Sequence, residues 1–510
     1  MLLLIKNSMR KNVTEYLDIT EGLYSEKIAV EDANGCITFG EMKRNALKIA
    51  EFCVEQNIFK QPVCVYLPKS KEMVTSFVGT NYSGNFYVPL DIKSPDTRIR
   101  NILATLNPGL IITDEEHKDQ VENFGLPTVT VGCLCSRKEA DLSVVESARS
   151  RQIDTDPVYS IFTSGSTGIP KGVVISHRGV IDYIDWAVDT FHFTADAKIG
   201  NQAPFYFDNS IFDIYSCLLT GAKMVIIPET LFMFPVKLPE FVRDNDITTI
   251  FWVPTVMINV ANSGVLSEIE LPKLKNVVFC GEVMPNTQLN IWRKAQPQCT
   301  YANLYGPTEI SDVCTYYIVD RPFKDSDSLP IGKACENMRI IILNEKNEIA
   351  KTNEQGEICV IGTGVSLGYW NNPEITQKAF IQNPVNPYYE ERIYRTGDLA
   401  YVNDEGLIIY LGRMDNQVKV KGNRIELGEI ENAAMCVGGV KGACAVFDEK
   451  NQKIVLFIES CEAFRLRKLN LELKKYIPNY MLPGDLVVME KFPHTANDKI
   501  DRVTLKKSLG

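Results

Sequence analysis

The sequence predicts an α/β protein of two unequal parts. A large N-terminal domain holds parallel-rich sheets flanked by helices, with an antiparallel, barrel-like β portion, and a small α+β domain forms the C-terminal end. Three observations carry this prediction. Short apolar runs alternate with amphipathic stretches from about residue 30 to 350. Paired strand patterns return at Gly356–Ile361 and Leu399–Leu411, and the character of the chain changes again after Gly412. At about 100–200 residues per domain, a chain of 510 residues is too long for one core.

Val63–Leu67, Phe86–Leu90, Leu110–Thr113, Met224–Pro228, Thr249–Val253 and Asn276–Cys280 read as buried strands, bounded by Gly, Pro, Asn or Asp. Between them, Thr38–Asn57 and Val236–Asn245 carry helical patterns. Strands separated by helices imply βαβ units, hence parallel sheets covered on both faces. Beyond Gly412 an alternating strand crosses Gly422 and enters an amphipathic helix, and a polar stretch at Arg413–Gln417 marks the boundary. The expected division is therefore 1–412 and 413–510.

With Lys+Arg at 54 and Asp+Glu at 64, the net charge of −10 argues against sequence-blind nucleic-acid binding, which needs a basic face. It leaves room for a small basic pocket for one nucleotide. Fourteen cysteines occur without a CxxC pair, and four histidines leave little material for a zinc site. Reduced, mostly buried thiols in a cytoplasmic protein are expected. The start, MLLLIKNSMRKN, has an apolar run too short for a signal peptide, and nowhere do about 18 apolar residues run together to span a membrane.

The sharpest local feature is Tyr159–Gly172, YSIFTSGSTGIPKG. An apolar strand runs into hydroxyls and glycines, then Pro170, Lys171 and Gly172. Glycines let backbone N–H groups approach a polyphosphate without a Cβ clash, hydroxyls add donors and the lysine supplies charge. A P-loop would read GxxxxGK[ST]; Gly165 is instead followed by STGIPKG, so that reading fails on its own residues.

TSGSTGIPKG, NLYGPTE (303–309), YRTGDL (394–399), LGRMDNQVKVKGNRIELGEIE (411–431) and the lysine of ANDKIDR (496–502) follow one another in order. In this the chain resembles the adenylate-forming superfamily of acyl-CoA synthetases, luciferases and amino-acid adenylation domains, from ITFGEM (37–42) through NFYVPLD (85–91) to Lys499. The resemblance implies ATP-dependent activation of a carboxylate to an acyl-adenylate, loss of pyrophosphate, and transfer to a thiol. It places Thr163, Ser164, Gly165, Ser166, Thr167, Gly168 and Lys171 along the pyrophosphate path, and Thr308 beside the α-phosphate. It gives Glu309 to Mg²⁺, a hard cation suited to carboxylate and phosphate oxygens. Tyr305 would stack on adenine with Asn303 at its edge, Asp398 would take both ribose hydroxyls, and Arg413 would lie near the same nucleotide.

By the same resemblance, Lys499 bridges the substrate carboxylate and the adenylate. The local pattern departs from PxGKxDR, with Asp498 in place of the glycine, which puts loop flexibility and rate in question. Asp415 falls at the hinge about which the small domain swings after adenylation, removing Lys499 and bringing the strand of Lys419–Gly422 to the site. Gly422, without a Cβ, suits close passage of a phosphopantetheine arm.

The segment Phe207-Asp208-Asn209-Ser210 bears on the subclass. In amino-acid adenylation domains the aspartate of FDxS pairs with the substrate α-ammonium. A charge at such depth is costly unless paired, so Asp208 suggests a cationic substrate group; capping of the following helix is the other reading. The pocket expected from the resemblance comprises Asn209, Phe212, Phe251 or Trp252, Val278, Cys280, Leu304, Asp312 and Val313. Phe212 and Leu304 suggest a restricted volume, and FCGEVMPN around Cys280 is similar to free-standing D-alanine–carrier protein ligases. Asp312 departs from that group. It either pairs with a second cationic or hydroxylated group or points away from the pocket.

The expected activity is therefore that of an amino acid:carrier-protein ligase, using ATP and Mg²⁺ and loading the phosphopantetheine of a separate carrier protein with D-alanine or another small or polar amino acid. An acyl- or aryl-CoA ligase of the same fold is the second reading. A non-catalytic descendant is disfavoured by the retention of Thr308, Glu309, Asp398 and Lys499.

Overall fold

Runs made almost wholly of apolar residues become strands buried on both faces. The computed structural model describes residues 10–165, 170–414, 417–493 and 500–509. The chain divides into two units: Met1–Asp91, Asn107–Ile161 and Val173–Gly412 form one, and Ile92–Leu106, Phe162–Gly172 and Arg413–Gly510 the other. That the segments 92–106 and 162–172 cluster with the C-terminal residues is not visible along the sequence.

A nine-stranded sheet is ordered Lys333–Ala334, Thr315–Ile318, Thr300–Tyr305, Asn276–Phe279, Thr249–Trp252, Lys198–Asn201, Lys223–Ile226, Ile28–Asp32 and Gly35–Thr38. Its six central strands, from Thr300–Tyr305 to Ile28–Asp32, run parallel, and the antiparallel pairs lie toward its ends. A seven-stranded sheet is ordered Gly368–Tyr369, Lys171–Ser176, Pro157–Thr163, Phe86–Pro89, Pro62–Tyr66, Leu110–Thr113 and Thr128–Thr130. A third sheet runs antiparallel from Met338–Leu343 through Gly356–Gly362 and Arg392–Val402 to Phe380–Gln382, and Ile408–Arg413 joins it on Arg392–Val402.

Local chemistry sets the helix ends. The helix Phe39–Glu55 opens on a capping box: the Thr38 hydroxyl accepts from the Glu41 N–H at 3.2 Å, and the Glu41 carboxylate accepts from the Thr38 N–H at 3.0 Å. The helix Asn209–Thr220 ends at Gly221 with φ +74°, where a Cβ would meet the Tyr24 ring at 2.6 Å. The second unit contains a three-stranded sheet of Gly442–Asp448, Lys453–Glu459 and Asp485–Met489, with the helices Leu427–Met435 and Leu466–Leu473 over its apolar core. Between Gln417 and that first helix the sequence predicts one strand and a glycine. The structure has a hairpin, Gln417–Val420 with Asn423–Glu426, because Gly422 turns the chain back on itself.

Candidate active site

Open α/β sheets bind ligands at the carboxyl ends of their parallel strands, and the expected site residues of the first unit gather at that edge. Phe251 pairs with Val278, and Val278 with Ala302, across three parallel strands. Side chains alternate between faces along a strand, so Phe251, Val278, Cys280 and Leu304 share one face and one apolar core, as does Val313. Trp252 faces the other way, in a separate core with Trp292. Of the two candidates at this point, Phe251 is the one on the pocket face. Phe212 reaches the same face from the helix Asn209–Thr220, its ring centroid 4.8 Å from that of Phe251.

Asp208 caps that helix, Oδ1 accepting from the Asn209 N–H at 3.1 Å. The Asn209 amide nitrogen is buried without a partner. Nearby on the strand Pro157–Thr163, Tyr159 is fully buried and its hydroxyl has no hydrogen-bond partner. Burial, then the charges of Asp208 and Asp312, hold its phenol well above the ordinary value.

Asp312 does not point to solvent. It is 2% exposed, and its Oδ2 accepts a 2.6 Å hydrogen bond from the Tyr183 hydroxyl. Burial first, then this carboxylate, raises the Tyr183 phenol well above its ordinary value. The backbone here is unusual: Ser311 and Asp312 both have positive φ, 64° and 87°. The loop is fixed on two sides. The Ser311 hydroxyl donates to the Gly364 carbonyl at 2.9 Å, and a Cβ on Gly306 would come within 2.1 Å of the Asp312 carbonyl oxygen.

The expected nucleotide residues of this unit form a second group. Tyr305 donates to Oδ2 of the buried Asp398 at 2.6 Å, and Tyr410 lies within 3.5 Å of Oδ1. The Asp398 N–H donates to the Thr396 hydroxyl at 3.0 Å, and that hydroxyl donates to the Ile358 carbonyl at 2.8 Å. The Asn303 amide nitrogen donates to the Pro330 carbonyl at 2.8 Å. Thr308 and Glu309 form a short 3-10 turn; Glu309 is fully buried and accepts from the Tyr369 hydroxyl at 2.8 Å.

In the second unit, Thr163 ends its strand with a buried hydroxyl that has no partner. The Ser164 hydroxyl donates to the Arg424 carbonyl at 3.0 Å and accepts from the Glu426 N–H at 3.2 Å. The Gly165 N–H is directed at the Glu429 carboxylate, which also pairs with Arg98. Lys171 and Arg413 sit half-buried at strand ends. Gly422 (φ +77°) follows Lys421 (φ +51°) in the two-residue hairpin turn, a turn type that demands positive φ at both positions. This is a conformational reason for the glycine, beside its lack of a Cβ. Ser166, Thr167, Gly168, Asp415 and Lys499 lie outside the described residues.

Sequence reasoning missed Tyr183, Tyr369, Tyr410 and Thr396. Thr396 sits inside the YRTGDL motif and Tyr410 just before LGR, so both were within reach; Tyr183 and Tyr369 lie in none of the motifs and nothing local marks them.

Comparison with known proteins decides the family. Residues 20–370 match the AMP-binding enzyme family. The chain belongs to that family. This AMP-binding enzyme is 32% identical over 480 residues to a D-alanine--D-alanyl carrier protein ligase of Bacillus cytotoxicus, an alignment covering 92% of this chain and 94% of the relative. It is 30% identical over 509 residues to tyrocidine synthase 1 of Brevibacillus parabrevis, covering 98% of this chain but 45% of that protein. It spans 13% of tyrocidine synthase 2 from the same organism. The AMP-binding enzyme shares its fold with the Vibrio cholerae adenylation domain AlmE, which was crystallised with glycyl-adenosine-5'-phosphate: the TM-score is 0.84 at 23% identity, over 99% of this chain and 98% of that one. Among the described residues, no helix is long and apolar enough to cross a membrane.

Proposed function

We propose that this AMP-binding enzyme is an amino acid ligase. It joins an amino acid to AMP with loss of pyrophosphate, then passes the acyl group to the phosphopantetheine thiol of a carrier protein. The observation that carries the reading is Asp208, a carboxylate at the head of the helix Asn209–Thr220, whose Phe212 packs against Phe251 on the apolar face of Val278 and Cys280. An anion beside such a wall favours a cationic group on the ligand, and an α-ammonium is that group. The names of the full-length D-alanine ligase relatives support the same reading.

In the first step a substrate carboxylate oxygen attacks the α-phosphorus and the bond to the pyrophosphate oxygen breaks. Asp398, oriented by Tyr305 and Thr396, accepts the ribose hydroxyls. Tyr305, its hydroxyl tethered to Asp398, presents its ring to adenine. Asn303 is engaged through its amide nitrogen, so its carbonyl oxygen is the atom offered to the adenine amino group. The donors of Thr163 to Gly168, with Lys171, Arg413 and Thr308, oppose negative charge on the phosphates, the largest single contribution in phosphoryl transfer. Lys499 neutralises the carboxylate and the α-phosphate together. Among the described residues no group of three or more His, Cys, Asp or Glu is arranged for a metal. The buried carboxylate of Glu309 would help hold Mg²⁺ together with the substrate phosphates, and the ion would supply positive charge there.

In the second step the thiol sulfur bonds to the acyl carbon and AMP departs with the electrons of the C–O bond. The small domain 413–510, turning about Asp415, would exchange Lys499 for the hairpin of Gly422 between the steps. ATP–pyrophosphate exchange tests the reading. Exchange driven by α-amino acids supports it; exchange driven only by acids lacking an α-amino group would make this an acyl- or aryl-CoA ligase.

A further inference from the structure

We propose that Asp213 is a positioning residue for the amino-acid pocket: through Asn201 it fixes the helix Asn209–Thr220, and with it Asp208 and Phe212, against the carboxyl end of the strand Lys198–Asn201. The inference rests on the reading of Asp208 and Phe212 as amino-acid contacts, and it adds the group that sets where they stand.

Asn201 ends its strand in register with Phe251 on the neighbouring parallel strand. Residues in register point to one face of a sheet, the face on which Phe212 packs against Phe251 with ring centroids 4.8 Å apart. There the Asn201 Nδ2 donates to Oδ2 of Asp213 at 2.7 Å, and both residues are fully buried. Asp213 directly follows Phe212 on the helix, so this one bond fixes the height and the rotation of the helix end that carries Asp208.

The strand end is itself held. Lys69 Nζ donates to the carbonyls of Gln202 at 3.0 Å and Asn201 at 3.3 Å, and the Gln202 Oε1 accepts at 3.4 Å from the N–H of Val253, just past the neighbouring strand. Asp213 therefore ties the helix to a fixed point. Apolar packing is non-directional, whereas a hydrogen bond is made only over a narrow range of distance and angle. Burial raises the Asp213 acid well above the usual carboxylate range, against the Asn201 hydrogen bond and the Lys69 charge. The Oδ1 atoms of Asp213 and Asn201 are both buried without a partner. Such an arrangement serves placement better than stability.

The test is ATP–pyrophosphate exchange with the full chain across the protein amino acids and D-alanine, with KM for the best of them and for ATP taken separately. Asp213→Ala should raise the amino-acid KM about tenfold and leave the ATP KM within about 2-fold, because the nucleotide group of Tyr305 and Asp398 lies on other strands. Asp213→Asn keeps the acceptor, and its amide can donate to the Asn201 Oδ1, so the amino-acid KM should return to within about 3-fold of wild type. Lys69→Met leaves the helix bond and loosens the strand end. It should raise the amino-acid KM about 3- to 5-fold with the ATP KM again unmoved, and it stands in should Asp213→Ala fail to fold. Equal rises in both KM values, or a lowered thermal midpoint with neither KM changed, would make these residues purely structural and overturn the inference. So would Asp213→Asn behaving like Asp213→Ala, since the charge and not the bond would then matter. Amino-acid activation stands in each of those cases, whereas exchange with no amino acid would remove both readings.

Discussion

The phenol of Tyr305 donates a 2.6 Å hydrogen bond to Oδ2 of Asp398, joining the NLYGPTE strand to the YRTGDL strand inside the first unit. Burial and then the Asp398 charge raise the Tyr305 phenol well above its ordinary value, so it stays a donor throughout the neutral range. Tyr305→Phe keeps the ring and removes one donor from a buried carboxylate. Its KM for ATP should rise about tenfold with the amino-acid KM nearly unchanged, matching the loss of one charge-assisted hydrogen bond. Exchange kinetics at varied ATP provide the check; a rise confined to the amino acid would place the pair elsewhere in the reaction.

Lys499→Ala separates the two half-reactions. Adenylation should fall about 100-fold or more, the scale on which a positioned charge acts in a transition state. Loading of a carrier thiol from preformed aminoacyl-adenylate should persist near the wild-type rate. Single-turnover measurements of each step decide it, and equal loss of both contradicts the assignment.

Asp415→Pro fixes φ near −65° at the proposed hinge. The expected outcome is near-normal exchange with thiol transfer slowed at least about tenfold, because only the second step requires the small domain to turn. Unchanged rates for both steps would remove the hinge.

His177 links stability to pH. It is fully buried at the start of the helix His177–Phe191, its Nδ1 accepts from the Val13 N–H at 3.4 Å, and its Nε2 has no partner. Burial lowers its pKa from 6.5 to about 4 against the opposing pull of Asp156 and Asp154. The unfolded chain therefore binds a proton that the folded chain refuses between those values. Stability from this residue is full above pH 6.5 and lost as pH falls through about 4, by on the order of 3 kcal/mol. Denaturant midpoints measured from pH 7 to 4 should slope less steeply for His177→Gln than for wild type.

Much of the fold is legible in the sequence because parallel strands need apolar residues on both faces. Leu110–Thr113 is found with both its bounds, and Thr249–Trp252 and Asn276–Phe279 to within one residue. The hairpin before Leu427 was not legible as such: Gly422 looks like a break, and only the pairing of Gln417–Val420 with Asn423–Glu426 makes it a turn. In the site, Asp398, Tyr305 and Asp208 are marked by motif position. Their partners are not, since Tyr183 meets Asp312 and Tyr369 meets Glu309 across long stretches of chain. The alternative between Phe251 and Trp252 needed strand register, because one step along a strand reverses the face.

The central claim, that Asp208 selects an α-ammonium, is tested most directly by mass spectrometry of the acyl-adenylate formed from matched acids. Alanine is set against propionate, and 2,3-diaminopropionate against 3-aminopropionate, each pair differing only in the α-amino group. The α-amino member of at least one pair should give adenylate and its partner at least about 100-fold less, a difference that Asp208→Asn abolishes. Equal adenylate from both members of each pair, or adenylate from the deamino acids alone, would contradict it.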